Sequence, residues 1–343
     1  MTARASMKIV RTDAELELPR VDSRLRALGA TLVLLPETTS TGALAREVRD
    51  ADLLLMCYAS TPAPVIDGAT RLKGIVKYGV GIDAIDVPAA MRRGIPVVNV
   101  PEYAEETVAE GALALILALA RKFKPLQREM DVRGWAWPEQ RWLASDLAGR
   151  TLGLVGVGRI GRNVARMAAQ GFRMRVLGFD PYVDASRMAN AGVEKCDDLC
   201  AMLARCNVVS LHCVLNAETR RLIGERELAA MKPSALLVNV SRGALVDEDA
   251  LVRALVARRL GGAGLDVYAD EPLARTGHPL SPLFVLDNVL LWPHLTFYTA
   301  EAMQRLEDET LERCLEMLEG RPVLVKSHDP RLRAQRTGVR FAD

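Results

Sequence analysis

Short apolar stretches alternate with amphipathic segments along this 343-residue chain, and this alternation restricts its fold more than any other feature. An amphipathic helix has to bury its apolar face against another layer, so the pattern predicts an α/β protein with layers of strands and helices. A helix is predicted around Asp22–Leu28. The first strands are predicted at 7–12, 31–36, 52–59, 73–79 and 96–101, and a second series at Thr151–Val155, Arg175–Phe179, Val208–Cys213, Ala235–Val240, Gly262–Val267 and Val289–Trp292.

A long helix is predicted between the two series, from Glu105 to Phe123. Acidic residues occupy its first turn and basic residues lie at its end, which suits the helix dipole. It is apolar nearly all round, so we expect it to be covered on more than one side, in part by a second subunit. The polar tail after residue 331 predicts partial disorder.

Polar residues follow several predicted strands of the second series. Asp180, His212, Arg242, Asp266 and His294 all stand at such positions. Ligands of open parallel sheets bind at the carboxyl ends of the strands. The pattern therefore predicts a site along one sheet edge, although any one of these residues alone is equally well explained as part of a polar loop.

The segment "TLGLVGVGRIGRNVARMA" contains a G-x-G-x-x-G motif at Gly156, Gly158 and Gly161. It follows an apolar strand and opens an amphipathic helix, which is the context that a dinucleotide-binding turn requires. Gly156 permits the tight turn, Gly158 lets the backbone approach a pyrophosphate, and Gly161 allows close packing of helix and strand. Arg159 is near enough to add positive charge.

Asp180 ends the next predicted strand, 19 residues after Gly161. A carboxylate there accepts hydrogen bonds from ribose hydroxyls and repels a 2′-phosphate. The three residues after it carry no cation, so we predict NAD rather than NADP.

Composition excludes several other classes of protein. The net charge of +2 and the scattered arginines argue against a nucleic-acid partner. The longest apolar run, 112–120, is too short to cross a bilayer, and no membrane association is expected. The six cysteines and four histidines lack metal-site spacing, so we expect no metal. The N-terminus lacks the apolar stretch of a secretory signal, and reduced thiols indicate a cytoplasmic location.

Six stretches of this chain resemble the D-isomer-specific 2-hydroxyacid dehydrogenases, the phosphoglycerate dehydrogenase-like family. They are "VKYGVGIDAIDVPAAMRRGIPVVN", "GLVGVGRIGRNVA", "VSLHCVLNAETRRLIG", "LLVNVSRGALVDEDAL", "GAGLDVYADEP" and "WPH", in the family's order. The region 100–122 and the ending "PHLTFYT" resemble the branch that contains C-terminal binding protein.

The resemblance implies two Rossmann-like or flavodoxin-like domains, each with a doubly wound parallel sheet, and a cleft between them. Residues 7–104 and 299–335 would form the substrate domain, and 105–298 an inserted NAD-binding Rossmann domain. It also implies a homodimer through the 105–123 helix region.

The resemblance further implies roles in oxidising a 2-hydroxy acid. Arg242 would hold the carboxylate and keto oxygen, and His294 would be the general base, or the acid in reduction. Glu271 would orient the imidazole and favour its protonated form. Asp266 would face the nicotinamide amide. Other residues implied to contact the cofactor are Val108, Ile160, Cys213, Val214, Thr219, Val240, Ser241 and Thr296, and those implied to contact the substrate are Tyr58, Val80, Gly81 and Phe297.

The substrate is expected to be a small unphosphorylated 2-oxo or 2-hydroxy acid. Relatives that act on 3-phosphoglycerate have arginines in the loop that aligns with 57–61, where this chain has "CYAST". The direction of Lys77 is left open by the sequence. The alternative function is an NAD(H)-sensing scaffold with vestigial dehydrogenase activity, because some relatives act through partner binding.

Overall fold

A computed structural model describes residues 7–342, which form two compact units. One unit contains 7–104 and 299–342, and the other contains Glu105–Tyr298. Residues 1–6, on which the prediction of no secretory signal partly depends, lie outside the described residues, as does residue 343.

The first segment, 7–104, forms a five-stranded parallel sheet in the order β2-β1-β3-β4-β5. The central strands are buried on both faces, which explains why they read as continuous apolar runs. The elements are β1 (Met7–Arg11), α1 (Pro19–Ala27), β2 (Ala30–Leu34), α2 (Thr41–Val48), β3 (Leu53–Met56), α3 (Ala63–Asp67), β4 (Gly74–Lys77), α4 (Val87–Arg92) and β5 (Val97–Asn99).

The second unit forms a seven-stranded parallel sheet in the order β12-β11-β10-β9-β6-β7-β8. The predicted fold class, α/β with doubly wound parallel sheets, is therefore confirmed. The elements are α5 (Glu105–Ala120), α6 (Phe123–Arg133), β6 (Thr151–Val155), α7 (Arg159–Phe172), β7 (Arg175–Phe179), α8 (Ala185–Asn190), β8 (Glu194–Lys195), α9 (Leu199–Arg205), β9 (Val208–Leu211), α10 (Glu225–Ala230), β10 (Leu236–Asn239), α11 (Glu248–Val256), β11 (Gly262–Leu265) and β12 (Val289–Leu291).

The predicted helix over 105–123 ends earlier, at Ala120. Lys122 adopts a left-handed backbone conformation with φ of 54°, which an α-helix cannot accommodate, and α6 begins at Phe123. The unit's own α7 and β11 pack against α5, so much of its apolar surface is covered within one chain. Across 7–342, no helix combines the length and apolar character needed to span a bilayer.

The last segment, 299–342, completes the first unit with α12 (Ala300–Leu318), β13 (Val323–Val325), α13 (Pro330–Arg333) and β14 (Val339–Phe341). The prediction of a partly disordered tail is wrong for the described residues. Strand β14 pairs in parallel with β13, and the buried side chain of Gln335 hydrogen-bonds both N–H and C=O of Val97. Arg340 also pairs with the buried Glu316. These long-range contacts order a segment whose local composition is polar.

Candidate active site

The glycine-rich turn connects β6 to α7. Gly156 has φ of +92°, and a Cβ there would lie 2.5 Å from the Cys213 amide nitrogen. A Cβ at Gly161 would lie 2.4 Å from the Gly156 carbonyl oxygen. At Gly158, the residue before the helix, no atom lies within 4 Å of an added Cβ. Packing thus requires the first and third glycines, while the second faces open space at a helix N-terminus, which suits a pyrophosphate.

Asp180 follows β7 and is fixed beside this turn. Its Oδ2 accepts a hydrogen bond from the Val157 N–H at 2.9 Å, and its Oδ1 accepts one from the Tyr182 N–H at 3.0 Å. Ile160 lies in the first turn of α7. Arg159, which opens that helix, pairs with Glu105 at 3.3 Å.

Two further loops follow neighbouring strands at the same sheet edge. Cys213, Val214 and Thr219 follow β9, and Val240 and Ser241 follow β10. The Ser241 hydroxyl donates to the Cys213 carbonyl at 2.7 Å, which joins the two loops. Burial raises the pKa of the Cys213 thiol to about 12, so it stays protonated. Val108, on α5, is buried.

Arg242 lies in the turn after β10, and the sequence analysis missed the residue that organises this turn. Asn239, buried at the end of the strand, donates to the Arg242 carbonyl at 2.8 Å and accepts from the Ser241 N–H at 3.1 Å. Arg242 Nη1 donates to the Ser241 carbonyl at 2.7 Å. A polar amide at the end of an apolar strand was the signal for Asn239.

His294 and Glu271 are in direct contact. His294 Nδ1 lies 2.8 Å from Glu271 Oε2, and Glu271 Oε1 accepts from the Tyr268 N–H at 2.9 Å. Burial acts to raise the pKa of Glu271, but its hydrogen bond to His294 and the charges of His294 and Arg242 outweigh burial and lower that pKa. Glu271 is therefore ionised at neutral pH.

Asp266 follows β11 and supports the histidine loop. Its carboxylate, 1% exposed, accepts hydrogen bonds from the N–H groups of Leu295 and Thr296 and from the Thr296 hydroxyl. Burial raises the pKa of Asp266, against the hydrogen bond from Thr296 and the charge of His294. Both carboxylate oxygens thus accept hydrogen bonds from the loop, and the contact of Asp266 with a nicotinamide amide stays a prediction.

The ring of Phe297, which is largely buried, meets the ring of His294 edge-on, with 6.3 Å between centroids. His294 itself has a left-handed backbone, with φ of 57°. Histidine tolerates this conformation better than most residues do. The turn places the ring toward Glu271 and Phe297.

The other predicted substrate residues lie in the first unit. Within 7–342, the backbone N–H groups of Val80 and Gly81 donate no hydrogen bond to the chain, and Asn99 Nδ2 donates to the Val80 carbonyl at 2.6 Å. The sequence left the direction of the Lys77 side chain open. Its ammonium donates to the Cys57 carbonyl and lies 5.4 Å from the centroid of the Tyr58 ring.

His212, another of the residues predicted to follow a strand, comes directly after β9, and its ring hydrogen-bonds the Ser210 hydroxyl at 2.9 Å. Burial lowers the pKa of His212 to about 3, so the ring is neutral. Among the described residues, no group of three or more histidine, cysteine or acidic side chains is arranged to hold a metal ion.

A parallel sheet that carries a glycine-rich turn, an acidic strand end and a histidine–glutamate pair defines a dinucleotide-binding α/β protein. The family model for the D-isomer specific 2-hydroxyacid dehydrogenase, NAD binding domain, matches residues 113–296. The chain belongs to the D-isomer-specific 2-hydroxyacid dehydrogenase family, and this segment is its NAD-binding domain.

Individual relatives show the breadth of this similarity. The chain is 37% identical to D-3-phosphoglycerate dehydrogenase of Methanocaldococcus jannaschii over 81% of this chain and 52% of that protein. It is 40% identical to glyoxylate reductase of Korarchaeum cryptofilum over 80% of this chain and 81% of that protein. D-lactate dehydrogenase from Aquifex aeolicus, solved with NAD and lactic acid, superposes with a TM-score of 0.82 at 30% identity, covering 91% of this chain and 96% of that one. The chain spans about half the length of the phosphoglycerate dehydrogenases that it matches.

Proposed function

We propose that this protein is an NAD-dependent D-2-hydroxyacid dehydrogenase that works mainly as a reductase of small, unphosphorylated 2-oxo acids. The observation that carries the proposal is the hydrogen-bonded contact of His294 with Glu271, in the same unit as the dinucleotide turn. An ionised carboxylate on one imidazole nitrogen prepares the ring to exchange a proton through the other.

Each residue then has a defined task. In reduction, His294 Nε2 donates a proton to the keto oxygen, and in oxidation it accepts the hydroxyl proton. Glu271 holds Nδ1 and stabilises the protonated ring. The Arg242 guanidinium binds the substrate carboxylate and keto oxygen. The bound nicotinamide supplies a hydride in reduction and accepts one in oxidation.

The cofactor is held by the turn between β6 and α7. The pyrophosphate meets the amides around Gly158, and Asp180 binds the adenosine ribose hydroxyls. The Asp180 carboxylate already accepts from the Val157 N–H, which keeps it in place beside the turn. Its negative charge disfavours a 2′-phosphate, so NAD is preferred to NADP.

The first unit supports the choice of substrate. The backbone N–H groups of Val80 and Gly81 donate no hydrogen bond within 7–342, so they are available to bind the substrate carboxylate. Asn99 holds this turn through its hydrogen bond to the Val80 carbonyl. Lys77 is engaged by the Cys57 carbonyl, and the exposed Tyr58 stands in the loop where phosphoglycerate-specific relatives carry arginine. A buried phosphate without a partner cation is costly. Glyoxylate, hydroxypyruvate and apolar 2-oxo acids are therefore favoured.

The test is oxidation of NADH, followed at its absorbance band, with a panel of 2-oxo acids. We expect turnover with at least one small member, and loss of turnover in the His294→Asn variant. If NADH binds but no member is reduced, the scaffold with vestigial activity becomes the better explanation.

All six cysteines carry free thiols, which favours the cytoplasm as the location.

We also propose that the chain forms a homodimer through the 105–123 helix region, together with the segment that follows it. Beyond the end of this helix, large apolar side chains are exposed at Phe123, Val132, Trp135, Trp137 and Leu143. Several large apolar side chains exposed in one segment of the chain are typical of an interface. Light scattering at micromolar concentration should give twice the chain mass, and Val132→Glu combined with Trp137→Ser should shift the mass toward one chain. A monomeric wild type would contradict the proposal.

A further inference from the structure

A hydrogen bond between two exposed side chains connects the loops on either side of the glycine-rich turn. The Tyr182 hydroxyl donates to Glu218 Oε2 at 2.5 Å. Tyr182 lies in the loop after β7 and Glu218 in the loop after β9, and β6 lies between these two strands in the sheet. The contact therefore spans the carboxyl end of β6, where the dinucleotide turn begins.

Both partners are held in place by their own loops. The Tyr182 N–H donates to Asp180 Oδ1 at 3.0 Å. The N–H groups of Glu218 and Thr219 both donate to Asn216 Oδ1 at 2.9 Å, and the Asn216 N–H donates to the Thr219 hydroxyl. Tyr182 is 74% exposed, so the contact adds little to the core. Because the contact lies beside the glycine-rich turn, we expect it to act on dinucleotide binding.

The same contact links a second carboxylate to the loop that follows Asp180. Tyr182 is linked to Asp180 through its backbone and to Glu218 through its hydroxyl. The hydrogen bond to Glu218 raises the pKa of Tyr182, and the charges of Glu218 and Asp180 act in the same direction. The Tyr182 phenol therefore stays protonated at neutral pH, and its hydroxyl donates to Glu218.

We propose that Glu218, positioned by Tyr182, is a second determinant of the choice of NAD over NADP. This inference rests on the proposed NAD-dependent function. The Glu218 carboxylate, which the Tyr182 hydroxyl holds in place, would add its negative charge to that of Asp180 and so disfavour the 2′-phosphate of NADPH. NADH lacks that phosphate and is little affected by the Glu218 charge.

The experiment compares dissociation constants for NADH and NADPH, measured from nicotinamide fluorescence on the full chain. Glu218→Gln should strengthen NADPH binding about threefold to tenfold, the size expected for one like charge across a solvated gap. NADH binding should stay within about twofold. Tyr182→Phe should change the ratio in the same direction by less, because Glu218 keeps its charge but loses its restraint. Glu319→Gln removes an equal charge from the first unit, where Glu319 pairs with Arg321, and should leave both constants unchanged.

Salt provides a readout that a purely structural role would not move. Raising the ionic strength from about 0.05 to about 0.5 M should narrow the preference of the wild type for NADH, and should narrow it less in Glu218→Gln. If NADH binds the wild type but Glu218→Gln leaves the NADPH-to-NADH ratio unchanged, this inference alone is wrong. If the wild type binds neither dinucleotide, the proposed function fails together with it.

Discussion

His294 Nδ1 and Glu271 Oε2 lie 2.8 Å apart, although 23 residues separate them in the chain. The other Glu271 carboxylate oxygen accepts a hydrogen bond from the Tyr268 N–H, and the pKa of Glu271 is lowered despite burial. Because this carboxylate is ionised at neutral pH, it stabilises the protonated imidazole.

Glu271→Gln should shift the pH profile of the reductase reaction. Loss of the negative charge makes the protonated ring less stable, so the ring releases its proton at lower pH. The alkaline limb of kcat/KM for reduction should move toward acid, and oxidation should extend to lower pH. An unmoved profile, measured in both directions, would mean that Glu271 has only a structural role.

His294→Asn should lower kcat by about 10²–10⁴, the usual contribution of a general acid–base residue. NADH affinity should remain near that of the wild type, because the ring acts on the substrate. His328→Asn, which alters a histidine of the first unit beside Arg333, is the matched control and should leave kcat unchanged. Near-normal turnover of the His294 variant contradicts the assignment.

Gly158→Ala should lower NADH affinity, whereas Gly156→Ala should lower the stability of the fold. The Gly158 Cβ would enter open space, so folding should be unaffected while NADH affinity falls by about tenfold or more, or ~1.4 kcal/mol. Gly156 has a positive φ and a backbone contact at 2.5 Å, so alanine there should lower the free energy of unfolding by ~1–3 kcal/mol. Thermal melts measure the loss of stability, and NADH titrations measure the loss of affinity. An unaltered NADH affinity in Gly158→Ala would contradict binding of the pyrophosphate at this turn.

Asp180→Ser should weaken NADH binding and improve NADPH relative to NADH by about tenfold, because ribose contacts and charge repulsion are lost together. The Val157 N–H also loses its acceptor, so a melting curve should accompany the binding measurement. A wild type that already prefers NADPH would overturn the role given to Asp180.

The substrate prediction concerns kcat/KM across glyoxylate, hydroxypyruvate, apolar 2-oxo acids and 3-phosphohydroxypyruvate. We expect the phosphorylated compound to be the poorest, and the product to have D stereochemistry, the latter from the family resemblance alone. Lys77→Met should leave kcat/KM for the phosphorylated compound unchanged, because Lys77 is not expected to bind it. A preference for 3-phosphohydroxypyruvate that Lys77→Met abolishes would show that this ammonium leaves the Cys57 carbonyl to bind phosphate.

Several properties of this protein can be derived from sequence because they depend on neighbouring residues. The periodicity of apolar residues predicted two successive series of strands and helices, since strands and helices bury surfaces at characteristic spacings. The spacing of Gly156, Gly158 and Gly161 predicted a dinucleotide turn, and Asp180 followed at the distance that one helix and one strand require. Turn geometry is local, so the motif itself contains the information.

Other properties depend on contacts between distant residues or on one backbone angle, and only the tertiary structure decided them. The end of α5 depends on the left-handed conformation of Lys122, which composition does not predict. The ordered tail depends on Gln335 reaching β5, 238 residues away in the chain. The pairings of Glu271 with His294 and of Asp266 with Thr296 arise because parallel strands bring separate loops to one sheet edge. Which side chains meet there is set by strand order and register, because those fix the distances between loops that the chain itself keeps apart.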